Sequence, residues 1–290
     1  MNSSDNNSAL NINDVRRRFD HAAHGFDAVD FVHSATRDGL LARLEPITIE
    51  ARTILDLGSA TGSGSRLLAR RFRRARIIAV DVSRNMLEAA RRKRSRFTRR
   101  SSVQANAEAL PFADQSIDMI FANLLLPWVG DPVLLFAEVS RVLRKDGLFL
   151  FSTLGPDSLG EIRDAWASVD AREHVNRFFG MHDIGDAAVR ASLRDPVLDV
   201  DRLSVTYNDA ETLFRDLTDM GARNCLQDRE RSLGGAGRFK AMKAALDEQR
   251  KGKLLTLDLE LVYGHCWGSG PQSADGEYRI NAERIGRRRD

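Results

Sequence analysis

The sequence predicts an α/β fold built on a mostly parallel sheet of seven strands, and three observations predict it. Short apolar runs recur at 53–57, 76–80, 101–105, 116–121, 148–152, 197–207 and 254–263, and the first five alternate with stretches whose apolar residues repeat at helical spacing. A loop of small residues, Gly58 to Gly64, joins the first run to a helix. Four polar residues, Asp56, Asp81, Asn106 and Asn123, fall at the carboxyl ends of the first four strands, where a parallel sheet holds its ligands.

In chain order, residues 1–12 read as a disordered tail, and 13–44 as a helical prelude with Val15, Phe19, Phe26, Val32, Leu40 and Leu44 on its apolar face. The strand TILDL at 53–57 leads through the small-residue loop into a helix at about 63–73, with Leu67, Leu68 and Phe72 at helical spacing. RIIAV at 76–80 is the second strand, ended by Asp81, and a helix follows at about 83–94. A weak third strand at 101–105 is closed by Asn106, the fourth runs to Phe121 before Ala122-Asn123, and a helix at about 131–144 precedes the fifth at 148–152. A helix at 182–193 and alternating strands at 197–207 and 254–263 complete the pattern. Two stretches interrupt it, 154–181 and 208–252. Both leave from carboxyl ends of strands, so they rise on the ligand side and can form a lid with the N-terminal helices. Residues 13–267 thus read as one domain carrying two lid insertions, and 268–290, rich in Gly, Ser and Arg, as a loose tail.

Composition narrows the class. Hydrophobic residues make up 42% of 290, enough for a core. No apolar run approaches the roughly 20 residues of a membrane span, and the polar start lacks the apolar stretch of a secretory signal. The two cysteines, Cys225 and Cys266, match no metal or disulfide spacing, so no metal is expected and a reducing cytoplasm suits the chain. Between Arg66 and Arg100 fourteen Lys and Arg face only Asp81 and Glu88. Such a segment attracts phosphates, acidic proteins or anionic lipid, or is two solvated helix faces.

The loop spacing bears on the ligand. A dinucleotide fingerprint wants Gly-x-Gly-x-x-Gly directly after the strand, whereas the glycines here stand at 58, 62 and 64. The pattern Asp-x-Gly-x-x-x-Gly from Asp56 to Gly62 resembles the first motif of class I methyltransferases, whose ligand, S-adenosyl-L-methionine, is a sulfonium cation with an amino acid tail. A carboxylate that would repel a pyrophosphate is tolerable there. The resemblance implies a Rossmann-like fold whose last strand is antiparallel, and cofactor contacts at Asp56, Gly58, Ser59, Ala60, Gly62, Asp81, Val82, Asn106, Ala107 and Asn123. Asp81 would accept the ribose hydroxyls. Asn106 stands where relatives usually have an aspartate for the adenine amino group, and its other reading is a turn residue. Many relatives carry glycine at Ala60 and tyrosine at Phe26.

Lid and strand-end pieces make a closer resemblance. FSTLGPDSL at 151–159, Ala165-Trp166, Val169-Asp170, His174-Val-Asn-Arg-Phe178, Asn123-Leu-Leu-Leu-Pro-Trp128, Met181 to Gly185 and Met220-Gly-Ala222 resemble the malonyl-acyl carrier protein O-methyltransferases of biotin synthesis, over about Arg16 to Trp267. The resemblance implies methyl transfer to the free carboxylate of a malonyl thioester, on acyl carrier protein or coenzyme A. A carboxylate is ionised at neutral pH and needs no general base. Burying it calls for a cationic partner. Arg177 is the first candidate for that role, with Trp128 and His182 beside it. Acyl carrier proteins are acidic, so docking falls to basic residues near the lid: Arg16, Arg17, Arg18, Arg223, Arg229, Arg231 and Arg238. Rival readings are an RNA or DNA methyltransferase and a methyltransferase-fold assembly factor. Asn123-Leu-Leu-Leu lacks the Pro-Pro-aromatic end that grips a flipped base, which makes a nucleic-acid substrate the weaker reading.

Overall fold

A computed structural model describes residues 10–93, 100–227, 235–250 and 252–270. Seven strands lie in the order β3-β2-β1-β4-β5-β7-β6. They are β1 (Thr53–Leu57), β2 (Arg76–Asp81), β3 (Arg100–Gln104), β4 (Ile117–Asn123), β5 (Leu143–Leu154), β6 (Arg194–Tyr207) and β7 (Leu255–Trp267). The five strands from β3 to β5 pair in parallel, and β7 runs antiparallel to both β5 and β6, as expected of the last strand. The chain leaves β1 toward β2 and, after β3, returns to β4 on the other side of β1. This reversal opens a crevice beyond the carboxyl ends of β1 and β4.

Alternation along the strands feeds two cores. Leu55, Leu57, Ile78, Val80, Ile120, Phe149 and Phe151 face α5 (Pro132–Val142) and α7 (Met181–Arg190). Ile54, Ile77, Met119, Phe121, Leu148 and Leu150 face α2 (Phe31–Leu44) and α3 (Ser63–Arg71) on the other side. Strands buried on both faces read as continuous apolar runs, which is why the central ones were legible in the sequence. Asp131 caps α5, and Ser83 caps α4 (Arg84–Arg92), each accepting a backbone N–H of the first turn.

A third apolar cluster lies outside the sheet sandwich. It joins Ile162 and Ala165 of α6 (Gly160–Ala167), Leu213 and Phe214 of α8 (Ala210–Asp219), Met242 and Leu246 of α9 (Gly235–Glu248), and the ends of β6 and β7. With α1 (Ile12–Ala22), which touches α4 and α8, these helices stand over the carboxyl ends of the strands.

Some boundaries differ from the sequence reading. β5 begins at Leu143, because Leu143 pairs with Ile117, so the preceding helix stops at Val142. The expected tail at 1–12 is partly ordered: Leu10 bridges Leu226, and the Asn11 side chain caps α1. At the other end Gly268 exchanges backbone hydrogen bonds with Asp146 and Gly147. The rest of both expected tails, 1–9 and 271–290, lies outside the described residues, as do Arg229 and Arg231.

Candidate active site

At the end of β1 the chain turns through Gly58 and Gly62, both with positive φ (72° and 80°), a conformation that favours glycine. Gly58 and Ser59 donate their N–H groups to Val80 O, at 2.8 and 3.0 Å, locking the loop to β2. Ala60 also has positive φ, 45°, and its N–H donates to Asp81 Oδ2 at 2.9 Å. A Cβ on Gly62 would lie 3.0 Å from Ala90 Cβ, so this glycine serves the approach of α4 and lines none of the cavities below.

Two small cavities meet around this loop, and a large one adjoins them. The first, a slot, is lined by Gly58, Ala60, Asp81, Val82, Asn106, Ala107 and Asn123, with Val15, Phe19, Phe26 and Trp128 from the lid side. The second is lined by Arg37, Asp56, Gly58, Ser59, Ala60 and Asn123. Thus nine of the ten residues expected to touch a cofactor, Gly62 excepted, line one continuous crevice.

Their hydrogen bonds show what each can still do. Asp81, buried at the end of β2, accepts Ser83 N–H on Oδ1 at 2.8 Å and Ala60 N–H on Oδ2, keeping lone pairs on both oxygens. Burial, aided by the nearby Asp56 and Asp20 charges, pushes its pKa up to about 6 against the two backbone hydrogen bonds. Asp56 is also raised to about 6 by burial, and accepts Ser65 Oγ–H at 2.5 Å. Asn106 accepts Glu108 N–H at 3.2 Å and donates to Glu108 Oε2 at 3.1 Å, the geometry of a turn residue, while still lining the slot. Asn123 is held on both sides, donating to His33 O and accepting from Ser152 Oγ, each at 2.9 Å.

Two contributors from α2 carry no sequence signal. Arg37 is buried, donates to Ser34 Oγ at 3.0 Å and more distantly to Asp30 Oδ2 at 3.5 Å, and leaves Nε without a partner; Ser59 Oγ is unpartnered in the same cavity. His33 lines all three cavities, packs edge-on against Phe26 at 4.9 Å, and is pushed down to about 4 by burial and then by Arg37, so its imidazole is neutral at pH 7. Both residues are spaced as ordinary helix positions, and only the packing of α2 on the sheet brings them to the crevice.

The third cavity, about 960 Å³, lies under the lid and meets the slot at His33, Leu124 and Trp128. Its walls are mostly apolar, including Trp166, Phe178, Phe214, Met220 and Phe239. Trp128 meets Phe19 edge-on at 5.1 Å at this junction. Arg177 stands at the cavity wall, but its side chain is 62% exposed and donates to Glu173 at 2.9 Å. His182 is exposed at the start of α7 and lines none of the three cavities, so the geometry gives it no part in the site. Among the expected docking arginines, Arg16 and Arg17 are exposed on α1, whereas Arg18, Arg223 and Arg238 line the cavity. The described residues contain no cluster of His, Cys, Asp or Glu fit for a metal and no helix long and apolar enough to cross a membrane. Both cysteines are buried thiols.

This sheet order, with a strand-end crevice under a helical lid, is that of a class I methyltransferase. Residues 55–151 match the Methyltransferase domain family. The protein from Halorhodospira halophila named malonyl-acyl carrier protein O-methyltransferase is 40% identical over 281 residues, 95% of each chain. The one so named from Laribacter hongkongensis is 41% identical over 261 residues, 87% of this chain and 88% of the relative. Among solved structures, the phosphoethanolamine N-methyltransferase 2 of Haemonchus contortus in complex with S-adenosyl-L-methionine aligns with TM-score 0.56 at 19% identity, covering 87% of this chain and 57% of that one, a likeness of fold alone. The chain belongs to the malonyl-acyl carrier protein O-methyltransferase family.

The cofactor of this class is S-adenosyl-L-methionine, and the crevice fits it. The buried Arg37 Nε and Ser59 Oγ lack partners, and with Asp56 they offer both charges that a zwitterionic amino acid tail requires. Asp81 offers free lone pairs for ribose hydroxyls.

Proposed function

We propose that this protein is a carboxyl O-methyltransferase acting in the cytoplasm on the malonyl thioester of acyl carrier protein, or of coenzyme A, early in biotin synthesis. Asp81, Val82, Asn106 and Ala107 would hold the adenosyl half of the cofactor, and Asp56, Gly58, Ser59, Ala60, Asn123 and Arg37 its amino acid half. The bound cofactor supplies an electrophilic methyl group: the substrate oxygen forms the new O–CH₃ bond, and the electron pair of the broken S–CH₃ bond stays on sulfur. The chain's own task is to align the carboxylate with that methyl and to keep water away.

One observation carries the reading. The three residues lining both slot and lid cavity are Leu124, Trp128 and His33, and His33 is too weak a base to hold a proton at pH 7. The one titratable side chain at this junction is thus a weak base, and a carboxylate needs none. The basic residues of the lid cavity and its apolar walls favour an anionic head on an apolar tether.

A radiolabelled methyl-transfer assay against malonyl-acyl carrier protein, malonyl-coenzyme A and total RNA in parallel tests the reading. Label is expected in base-labile methyl ester on the malonyl thioesters. Transfer to RNA alone would replace it with the nucleic-acid reading.

A further inference from the structure

We infer that Arg18 and Arg223 form a cationic clamp for the free carboxylate of the acyl group and give the lid cavity its preference for a carboxylated thioester over a neutral one. The inference rests on the substrate reading above.

The side chains reach the same cavity from distant segments of the chain, Arg18 from α1 and Arg223 from the turn after α8. Two other arginines on that wall have a carboxylate partner, Arg177 in Glu173 at 2.9 Å and Arg238 in Asp170 at 3.6 Å. Arg18 and Arg223 have no carboxylate partner among the described residues. Arg18 donates Nη2–H to Asn224 O at 3.0 Å, and its buried Nε has no acceptor. Arg223 donates to Thr218 Oγ1 at 3.0 Å and to Phe214 O at 3.4 Å, while its guanidinium carbon lies 5.5 and 5.6 Å from the ring centres of Phe214 and Phe239. Burial and the Arg18 charge depress the Arg223 pKa, so two like charges are held near each other in a partly desolvated wall. Such a pair persists at a cost that a bound anion offsets.

Position fits the reaction. Arg18 precedes Phe19, whose ring meets Trp128 at the junction of slot and cavity. Both arginines thus line the cavity that opens onto the slot at Trp128. A guanidinium offers parallel donors that engage one side of a carboxylate and leave lone pairs for attack. The aromatic rings flanking Arg223 fix its plane, and lysine would not reproduce that.

The test is calorimetric binding to the full chain saturated with S-adenosylhomocysteine, using malonyl-pantetheine, acetyl-pantetheine and malonyl-coenzyme A, for the wild type, Arg18→Gln, Arg223→Gln and Arg223→Lys. The wild type is expected to bind malonyl-pantetheine about 10- to 100-fold more tightly than acetyl-pantetheine, and each Gln variant to lose most of that ratio. Arg223→Lys should recover only part of it, and S-adenosylhomocysteine affinity should stay at the wild-type value, reporting intact folding. An unchanged malonyl-to-acetyl ratio overturns the clamp, as does an equal loss for both ligands, which marks a structural role. A loss confined to malonyl-coenzyme A assigns the arginines to a phosphate and overturns it as well. These failures leave the substrate reading standing if the wild type methylates malonyl thioesters; a wild type that neither binds nor methylates them removes that reading itself.

Discussion

In the proposed function, Asp81 is the residue on which the adenosyl half of the site turns. Both of its oxygens are already fixed by backbone N–H groups, so the carboxylate is aimed before any ligand arrives. Replacing it with alanine is expected to weaken S-adenosyl-L-methionine binding by about 1.5–3 kcal/mol, the range for hydrogen bonds to a charged group; wild-type affinity by calorimetry would remove the ribose assignment. Its pKa, with that of Asp56, adds a pH prediction. Both carboxyls sit at about 6 in the folded protein, above their ordinary value, so protonation stabilises the empty fold at low pH, and that contribution is lost as pH rises through 6. A cationic ligand favours the ionised forms. Cofactor affinity should therefore increase between pH 5 and pH 7 with proton release below 6, and a flat profile across that window would contradict it. These carboxylates were legible because a strand's end can be read from its apolar run. Arg37 and His33 were not, since nothing in a helical repeat says which position will face a crevice made by other segments. For Arg177 and His182 the local spacing could not say that one would pair with Glu173 at the cavity wall and the other face solvent, since both are matters of packing.

At the scale of elements, α2 carries those two residues, and its seating on the sheet decides whether they reach the site. The seating depends on Gly39. A Cβ there would lie 2.5 Å from the Tyr263 hydroxyl and within 2.9 Å of ring atoms. The ring cannot easily step aside, because the Arg43 guanidinium lies 3.7 Å from its centre and is itself held by Asp199 at 2.6 Å and Asp201 at 3.0 Å. Helix propensity alone would make Gly39→Ala stabilising by about 1 kcal/mol. Overpacking costs about 1–3 kcal/mol and should win, so the variant is expected to unfold at a lower temperature in a thermal scan and to bind cofactor less well through displaced Arg37. An unchanged or raised midpoint would show that α2 can shift freely. Strand and helix identities were legible from periodicity, while edges such as the early start of β5 depended on a partner, Ile117, that no local pattern names.

For the whole molecule, the lid cavity of about 960 Å³ is far larger than a malonyl group, and its apolar walls suit the arm that carries one. Free malonate is accordingly expected to be methylated poorly beside malonyl-acyl carrier protein, and equal rates would remove any role for the tether. The two halves of the site also share one wall. Ile12, Val15 and Phe19 of α1 line the cofactor slot, and Arg18 of the same helix lines the lid cavity. The helix is tied to the turn after α8 through Asn11 N–H to Cys225 O at 2.9 Å, the Leu10–Leu226 bridge and Arg18 to Asn224 O at 3.0 Å. A ligand in the slot adds contacts to one face of α1, and opening α1 then breaks those contacts together with the ties to the lid. Local opening should become rarer by the binding free energy that it forfeits. Saturation with S-adenosylhomocysteine is thus expected to slow amide exchange about tenfold or more in α1 and at 224–226, while α7, which lines none of the cavities, exchanges as before. Protection confined to the β1–α3 loop would mean that the slot fills without engaging α1, and that the lid is assembled independently of the cofactor.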